Sequence, residues 1–441
     1  MAQKTILIEG HNLTLETGTG IATYARTLAA TARDLGYRTE VLIGSRKRID
    51  TRDPLLGEVN FYDARASNEL KLLHYVGLAR HAVVGSPFGI RPATLQLGGA
   101  VITPAGARLG GFDRIYAARN LSDAALLHFR RYGRPARLKL PATPDLFHAT
   151  HQFPIHVPGC PNIHTIHDLV PLRLPYATLD DKKYFLELVR YLARKADHIV
   201  TVSEHSRRDI IELIGIPERR ITNTYQSVHI PPALLAGSRD ELAADLESYF
   251  ELQPGGYFLF VGAIEPKKNL SRLVDAFASA GCRRPLVVVG APAWQYERDL
   301  EKMGEERFLT YVIKDGVIAP RRRVKRLAYL PFPRLVALMR GARAVLFPSL
   351  YEGFGLPVLE AMVAGAPVMT SNVSSLPEVA GDAALLVDPH DVDAIAAGIR
   401  RLDSDDDLCA DLSARGLERA KLFSPARYKE RLGTLYKTVM G

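Results

Sequence analysis

Residues 349–360 read Ser-Leu-Tyr-Glu-Gly-Phe-Gly-Leu-Pro-Val-Leu-Glu, and the fold of the chain follows from them. The apolar run from Ala344 to Phe347 just before them predicts a buried strand. Pro357 predicts the first turn of a helix, because the N–H that proline lacks has no partner at that position. Glu352 is therefore expected in a loop, and Glu360 within the first turns of the helix.

The same residues form a natural seat for an anion. The backbone N–H groups of Phe354 and Gly355 stand at the start of the predicted helix, whose positive end attracts negative charge. Gly353 and Gly355 carry no side chain, so a ligand can approach the backbone closely. A diphosphate is the kind of group that such a loop would bind.

The two glutamates, with seven residues between them, resemble the donor-site signature of the retaining nucleotide-sugar glycosyltransferases of family 4, also called group 1. Residues 372–384, Asn-Val-Ser-Ser-Leu-Pro-Glu-Val-Ala-Gly-Asp-Ala-Ala, extend the resemblance. Residues 260–270, Phe-Val-Gly-Ala-Ile-Glu-Pro-Lys-Lys-Asn-Leu, are similar to the mannosyltransferase-like branch of that family. Either glutamate alone is explained equally well as a solvated or dipole-complementing side chain, but the three ordered blocks favour function. The resemblance implies an α/β protein of GT-B fold, with two doubly wound Rossmann-like domains facing a cleft.

The resemblance also implies roles for individual residues. Lys268 would contact the donor's diphosphate, Glu360 would accept hydrogen bonds from the ribose, and Glu352 would accept them from the transferred sugar. Many family members carry an arginine where this chain has Ala263, so Lys267 is the candidate for the second cation. The catalytic residues implied are His167, Glu352 and Lys268. The donor-binding residues implied are Gly18, Gly20, Gly262, Lys267, Lys268, Leu330, Glu352, Gly353, Phe354, Gly355, Leu356 and Glu360.

The amino-terminal half contains a second glycine-bearing turn. A short apolar strand, Thr5 to Glu9, precedes Gly18-Thr19-Gly20 and a helix from about Ile21 to Leu35. Strand, glycine loop and helix make the phosphate-facing turn of a doubly wound sheet. The pattern is weak by itself, but the corresponding glycines of the family face the donor's diphosphate.

His167 follows a strand-like run at the edge where open α/β sheets bind ligands. It matches a family histidine that contacts the donor sugar. The neighbouring histidines have no carboxylate or cysteine in sequence to complete a metal set, so they are interpreted as cleft or core residues: His148, His151 and His164.

The chain is long enough for two or three domains. We predict an acceptor-side Rossmann-like domain at 1–230 and a nucleotide-sugar domain at 250–424. A last helix, 425–441, would pack back on the first domain, following the habit of the family. In the second domain, strands alternating with helices predict a parallel sheet; the strands expected are Tyr257 to Val261, Pro285 to Val289, Lys325 to Leu330, Ala344 to Phe347 and Pro367 to Thr370.

The composition of the chain indicates the cellular compartment and the charge of its binding partner. The chain has no apolar run of about 18 residues, which argues against a membrane span. Three cysteines without zinc-type spacing suit a reducing cytoplasm. The formal charge of +9 implies an anionic partner.

Basic residues between 114 and 139, interleaved with Phe129 and Tyr132, suit peripheral docking on the anionic cytoplasmic face of a membrane, or are a solvated face. A second basic run, Arg321 to Arg323, would flank a strand. No helix-turn-helix, RNA-binding aromatic motif or zinc module supports nucleic-acid binding.

The sequence thus predicts a retaining glycosyltransferase that moves a hexose from a GDP- or UDP-sugar, with GDP-mannose as the leading candidate. The acceptor would be a polysaccharide or lipid-linked glycan, as in lipopolysaccharide. No metal or other cofactor is expected, because the one acidic run, Asp403 to Asp407, lies between two helices where capping explains it. Two alternatives stay open: a GT-B epimerase or phosphorylase, and a non-catalytic scaffold that binds an anionic surface.

Overall fold

The structure is a computed structural model that describes residues 3–14, 20–47, 49, 52–63, 88–99, 101–102, 109–314, 317–328 and 330–441. Gly18 lies outside the described residues. Within the described part, two sheets are covered on both faces by helices.

The first sheet has eight strands in the order β10-β9-β8-β6-β1-β2-β4-β3, and only the edge pair β3–β4 is antiparallel. Its strands are β1 (Thr5–Glu9), β2 (Arg38–Ser45), β3 (Ala93–Leu95), β4 (Arg114–Arg119), β6 (Leu146–Ala149), β8 (Asn162–Thr165), β9 (His198–Thr201) and β10 (Ile221–Asn223). Two short strands, β5 (Ala136–Arg137) and β7 (Ile155–His156), pair beside it.

The second sheet is parallel throughout, with the order β15-β12-β11-β16-β17-β18. Its strands are β11 (Phe258–Val261), β12 (Leu286–Val289), β15 (Val324–Leu327), β16 (Ala344–Phe347), β17 (Val368–Ser371) and β18 (Leu385–Val387). Most of its central strands are buried along their full length, which is why they read as continuous apolar runs.

Helices connect the strands and cover the sheets. On the first sheet's side these are α1 (Gly20–Asp34), α2 (Pro54–Tyr62), α3 (Leu121–Tyr132), α4 (Val170–Arg173), α5 (Lys182–Lys195) and α6 (Glu204–Ile214). The later helices are α7 (Pro232–Leu235), α8 (Arg239–Phe250), α9 (Leu270–Ala280), α10 (Glu297–Gly304), α11 (Phe332–Gly341), α12 (Leu356–Val363), α13 (Leu376–Ala380), α14 (Val392–Ser404), α15 (Asp406–Ala420) and α16 (Pro425–Met440).

The region before β15 differs from the prediction. Residues Leu309–Lys314 (β13) and Val317–Arg322 (β14) form an antiparallel hairpin that the sequence analysis did not anticipate. Arg321 and Arg322 therefore belong to a hairpin strand and do not merely flank β15. The strand predicted to run to Leu330 ends at Leu327, because the chain then turns into the Pro331 cap of α11.

Helix α16 lies against α1, so the last helix of the chain completes the core of the first domain. One hydrophobic cluster includes Ile6 and Tyr24 of the first domain, Tyr436 of α16 and Leu359 of the second domain. The Tyr436 hydroxyl lies 2.8 Å from Nδ1 of His148, whose Nε2 lies 3.0 Å from the Thr165 hydroxyl. Burial lowers the pKa of His148 to about 3, so this core histidine is neutral.

In the part of the chain that the structure describes, no helix is both long enough and apolar enough to cross a membrane.

The contact between α16 and the first domain predicts the effect of Tyr436→Phe. This substitution keeps the ring but leaves Nδ1 of buried His148 without its partner, which costs about 1–3 kcal/mol. We expect a melting temperature lower by several degrees in a thermal unfolding scan. Tyr176→Phe is the control, because Tyr176 is 64% exposed. Equal melting of both variants would contradict the assignment.

Candidate active site

The predicted loop and helix around Glu352 are present. Strand β16 ends at Phe347, a loop follows, and α12 begins after Gly355 with Pro357 in its first turn. Glu352 is only 7% exposed, so its carboxylate is fixed within the protein rather than solvated.

Glu352 and Lys268 form a buried ion pair. The Lys268 Nζ lies 2.6 Å from Glu352 Oε1, and the two side chains are 12% and 9% exposed. The ammonium also lies 5.0 Å from the centre of the Phe347 ring, a favourable place for a cation. Lys268 ends a 3₁₀ turn, Pro266–Lys268, that precedes α9. Asn269 in a left-handed conformation separates the turn from the helix.

The backbone of Glu352 is held by a neighbouring serine pair. The Glu352 N–H donates to the Ser374 hydroxyl at 3.1 Å, and the Ser375 hydroxyl donates to the Glu352 carbonyl at 2.9 Å. Both serines belong to the block that extended the family resemblance. Their contacts explain why that block accompanies the glutamate in sequence.

Positively and negatively charged side chains lie close together around Glu352. Burial would raise the pKa of the Glu352 carboxyl, but Lys268 and Lys267 hold it below its usual value. Burial would likewise lower the pKa of Lys267, but Glu352, Glu265 and Asp168 hold it above its usual value. The Lys267 Nζ lies 3.5 Å from Glu265 Oε1. Lys267 and Glu352 are therefore charged at neutral pH.

His167 lies across from this pair, at the carboxyl edge of the first sheet. Its Nε2 donates to the Thr150 carbonyl at 2.9 Å, because a carbonyl oxygen can only accept. Its ring meets the Tyr24 ring edge-on at 4.8 Å. Burial lowers the pKa of His167 to about 4, so the ring is neutral and Nδ1 is left as a hydrogen-bond acceptor.

Asp168 also belongs to the site, although the sequence analysis gave it no role. Burial raises the pKa of its carboxyl and Glu352 adds to the rise, while the Lys267 charge and the Val170 N–H oppose it. The same interactions place Asp168 of the first domain beside Lys267 and Glu352 of the second. Its position directly after His167 was the only sequence signal for it.

Two glycines permit this close approach. A Cβ on Gly353 would lie 2.7 Å from the His167 carbonyl oxygen and 2.9 Å from Asp168 Oδ2. Gly355 has φ of +99°, a conformation that favours glycine, and a Cβ there would lie 2.7 Å from Leu376. Both glycines thus serve packing between loops as well as any approach of a ligand.

The remaining predicted donor residues are glycines that lie close to another side chain, or residues whose side chains pack in or against the core. Gly20 begins α1, and a Cβ there would lie 3.5 Å from the Leu356 side chain of the other domain. Gly262 follows β11 and lies against the Lys268 side chain. The side chains of Phe354 and Leu330 pack in or against the main core, which leaves only their backbone groups for a ligand. Phe354 meets the Phe423 ring at 5.5 Å.

Glu360 differs from Glu352 in having no partner. The residue is half-buried on α12, and its carboxyl group makes no hydrogen bond or ion pair with any residue that the structure describes. Burial alone raises its pKa to about 7. A half-buried carboxyl with unused acceptor capacity is suited to a ligand's hydroxyl groups.

A second carboxylate joins the domains beside the site. Glu378 of α13 accepts hydrogen bonds from the first-turn N–H groups of Glu204 at 2.7 Å and His205 at 2.9 Å. Those N–H groups open α6, whose N-cap is Ser203. The Ser206 hydroxyl of the same turn donates to the Gly353 carbonyl at 3.2 Å. We call these bonds the α6 contact.

Another polar contact lies next to the α6 contact. The Tyr351 hydroxyl donates to the carboxylate of Asp209, which Arg173 also binds through two nitrogens. Tyr351 precedes Glu352, so both flanks of the Glu352 loop are tied to the first domain. No group of three or more metal-binding side chains is found within the described ranges.

Two family models match the chain. Residues 100–229 match the model described as glycosyltransferase family 4, and residues 249–419 match the model of group 1 glycosyl transferases. Together they cover more than half of the chain.

Curated relatives with similar sequences come from Escherichia coli. O-antigen chain mannosyltransferase B is 38% identical over 268 residues, which are 59% of this chain and 66% of that protein. The serotype-specific mannosyltransferase WbdA is 31% identical over 264 residues, covering 58% of this chain and 31% of WbdA. The chain thus spans less than two thirds of the length of both relatives.

Solved structures with the same fold are more distant in sequence. Sucrose-phosphate synthase from Thermosynechococcus elongatus has a TM-score of 0.65 and 17% identity, covering 99% of both chains. HepE from Anabaena, in complex with UDP and glucose, has a TM-score of 0.63 and 15% identity, covering 99% of this chain and 100% of that one. These likenesses concern the fold alone, and they confirm the predicted pair of Rossmann-like domains of the GT-B class.

The α6 contact predicts how Glu378→Ala behaves. Bonds from N–H groups to a carboxylate contribute about 1.5–3 kcal/mol each, so their loss should speed amide exchange at Glu204 and His205 at least about tenfold. Hydrogen exchange read by mass spectrometry measures this. Glu212→Ala is the control, because that side chain lies on the same helix and is 66% exposed. Unchanged exchange in Glu378→Ala would refute the contact.

Proposed function

The chain belongs to the group 1 glycosyltransferases of family 4, and from this membership we propose that it is a hexosyltransferase acting on a nucleotide sugar. The donor proposed is GDP-mannose, and the acceptor is a hydroxyl group of a glycan. The mannosyltransferase names of the E. coli relatives support this choice of sugar. The UDP bound in the HepE structure supports a nucleotide diphosphate as leaving group in this fold.

The observation that carries the proposal is the buried ion pair of Lys268 and Glu352, 2.6 Å apart, in a loop whose Gly353 lies directly against the His167 carbonyl. A leaving diphosphate requires fixed positive charge, which Lys268 and Lys267 supply in a site with little water. A transferred sugar requires acceptors for its hydroxyl groups, which Glu352 and the Nδ1 of His167 supply. Both requirements are met within one cluster of side chains.

The chemical step follows from these positions. The bond between the sugar's anomeric carbon and the phosphate oxygen breaks, and its electron pair leaves with the diphosphate. The acceptor oxygen forms the new bond to the anomeric carbon, and its proton passes to the diphosphate. The family retains the anomeric configuration, and in this scheme retention results because attack and departure take place on the same face of the sugar. No protein nucleophile is required in this scheme, and none is assigned.

The same two glutamates argue against the alternative enzyme classes. The unpartnered Glu360 and the paired Glu352 have the spacing of the transferase motif, which argues against an epimerase or a phosphorylase. A non-catalytic scaffold would not need a buried, charged pair in the cleft. Independence from a metal ion stays a prediction.

Peripheral membrane docking and a cytoplasmic location also stay predictions. Within the basic segment, Arg130 pairs with Asp181 at 2.9 Å and Arg114 pairs with Glu40 at 3.3 Å. Part of the positive charge is thus neutralised inside the protein. Arg131 and Arg134 remain exposed at the end of α3.

Nucleotide binding tests the proposed function directly. A nucleotide at 100 times its dissociation constant stabilises the folded state by about 2.7 kcal/mol, which a melting scan resolves. Among GDP, UDP, dTDP, ADP and GDP-mannose, we expect the guanine compounds to raise the melting temperature most. Lys268→Met should lose that shift, whereas Glu301→Gln, an exposed change in the second domain, should keep it. If no nucleotide stabilises the wild type, the proposal fails.

The raised pKa of Glu360 gives the binding a pH dependence. Ribose hydroxyls donate to the ionised carboxylate, and protonation below pH 7 removes that acceptor. Affinity for GDP-mannose should therefore rise about tenfold between pH 6 and pH 8, following the ionised fraction. Calorimetric titration of the wild type and Glu360→Gln measures it. An equal pH slope in the two proteins would show that Glu360 does not meet the ribose.

A further inference from the structure

One face of α6 holds the Glu352 loop on both sides of the glutamate. Ser206 and Asp209 lie three residues apart on this helix, so their side chains stand on the same face. The Ser206 hydroxyl donates to the Gly353 carbonyl at 3.2 Å, and Asp209 accepts a hydrogen bond from the Tyr351 hydroxyl. The residue before Glu352 and the residue after it are thus bound by one helix of the first domain.

Asp209 is a buried carboxylate that its own domain holds in a fixed orientation. Arg173 of α4 donates to it through two nitrogens: Nε lies 3.1 Å from Oδ2, and a second nitrogen binds Oδ1. Two bonds from one planar guanidinium fix the plane of the carboxylate. Oδ2 also accepts from the Tyr351 hydroxyl, so Asp209 offers the second domain a partner whose position is set by the first.

Tyr351 carries this contact to the backbone next to Glu352. The side chain is buried, and burial raises the pKa of Tyr351, with the bond to Asp209 adding to the rise. The hydroxyl therefore keeps its proton at neutral pH and donates a hydrogen bond. The His205 ring of α6 meets the Tyr351 ring edge-on at 5.5 Å. The tyrosine is thus placed by α6 through one hydrogen bond and one ring contact.

The contacts of Glu352 within its own domain cannot fix its distance from the first domain. Lys268 binds its carboxylate, and two serines of the second domain bind its backbone. The distance between Glu352 and His167 depends instead on contacts that cross between the domains. These include the close approach of Gly353 to the His167 carbonyl and the two bonds to α6. In the proposed function one sugar must reach both Glu352 and His167, so this distance decides how well the sugar is held.

We propose that Asp209 is a positioning residue for sugar transfer: through Tyr351 it fixes the Glu352 carboxylate at the distance from His167 that the transferred sugar requires. This inference rests on the proposed function and deepens it, because it makes the binding of the sugar, but not of the nucleotide, depend on α6. Asp209 touches no substrate and takes no proton. Arg173 serves the same purpose by holding Asp209.

The test compares the affinities of the full chain for GDP and for GDP-mannose by calorimetric titration. The residues proposed to meet the nucleotide all belong to the second domain, so GDP should bind Tyr351→Phe and Asp209→Asn as it binds the wild type. GDP-mannose should lose about tenfold in affinity in both variants, because the sugar is no longer held from both sides of the cleft. A general loosening of the fold would weaken both ligands alike, which makes the ratio of the two affinities the decisive readout.

Two further variants complete the experiment. Glu212→Gln is the matched control, since it is also a carboxyl-to-amide change on α6, its side chain is 66% exposed, and its Oε2 lies 3.8 Å from the same arginine. It should bind both ligands like the wild type. The double variant Tyr351→Phe/Asp209→Asn should lose about as much affinity for GDP-mannose as Asp209→Asn alone, because both changes remove the same bond.

The outcomes separate this inference from the proposed function. If the ratio of the two affinities in Tyr351→Phe or Asp209→Asn equals that of the wild type, the positioning role is overturned while the donor site stands. A loss in Glu212→Gln as large as that in Asp209→Asn overturns it as well. If the wild type binds neither GDP nor GDP-mannose, the proposed function itself fails, and the inference with it. A melting scan verifies that each variant is folded, and Tyr351→Phe, which removes a single oxygen atom, carries the test if Asp209→Asn unfolds.

Discussion

At Gly353 the backbone of the second domain lies directly against the His167 carbonyl of the first. A single methyl group there would meet that oxygen at 2.7 Å, a separation that real Cβ atoms do not show. Any side chain would therefore push the Glu352 loop away from the edge that carries His167 and Asp168. The α6 contact and the Tyr351 bond to Asp209 both join the two domains beside this point, so each depends on the bare backbone at one residue.

The site satisfies its own charges before any ligand enters. Lys268 is bound by Glu352, and Lys267 lies beside Glu265 and Asp168. In the proposed function, a diphosphate would compete with these internal carboxylates for the lysines, and the transferred sugar would compete with Lys268 for Glu352.

The sequence predicted the features whose residues lie close together along the chain, and it missed contacts between residues that are far apart along it. The Glu352 loop, its helix and Lys268 could be read because each motif lies within a dozen residues. Glu378 could be placed in a family block but not against α6, since the partners are more than 170 residues apart. His151 was interpreted as a cleft or core residue because no carboxylate or cysteine completed a metal set. Glu9 pairs with it from 142 residues away, because β1 and β6 are neighbours only in the folded sheet. The hairpin β13–β14 was not predicted for another reason: a run of basic residues gives no clear strand periodicity.

The course of α16 has a consequence for how the protein is made. The first domain leaves the ribosome long before Tyr436, yet His148 and Tyr24 reach their final surroundings only when that last helix arrives. During synthesis, part of the apolar surface of the first domain therefore stays uncovered until the whole second domain has been synthesised. That interval, set by the order of the elements along the chain, is when the nascent protein most needs protection from aggregation.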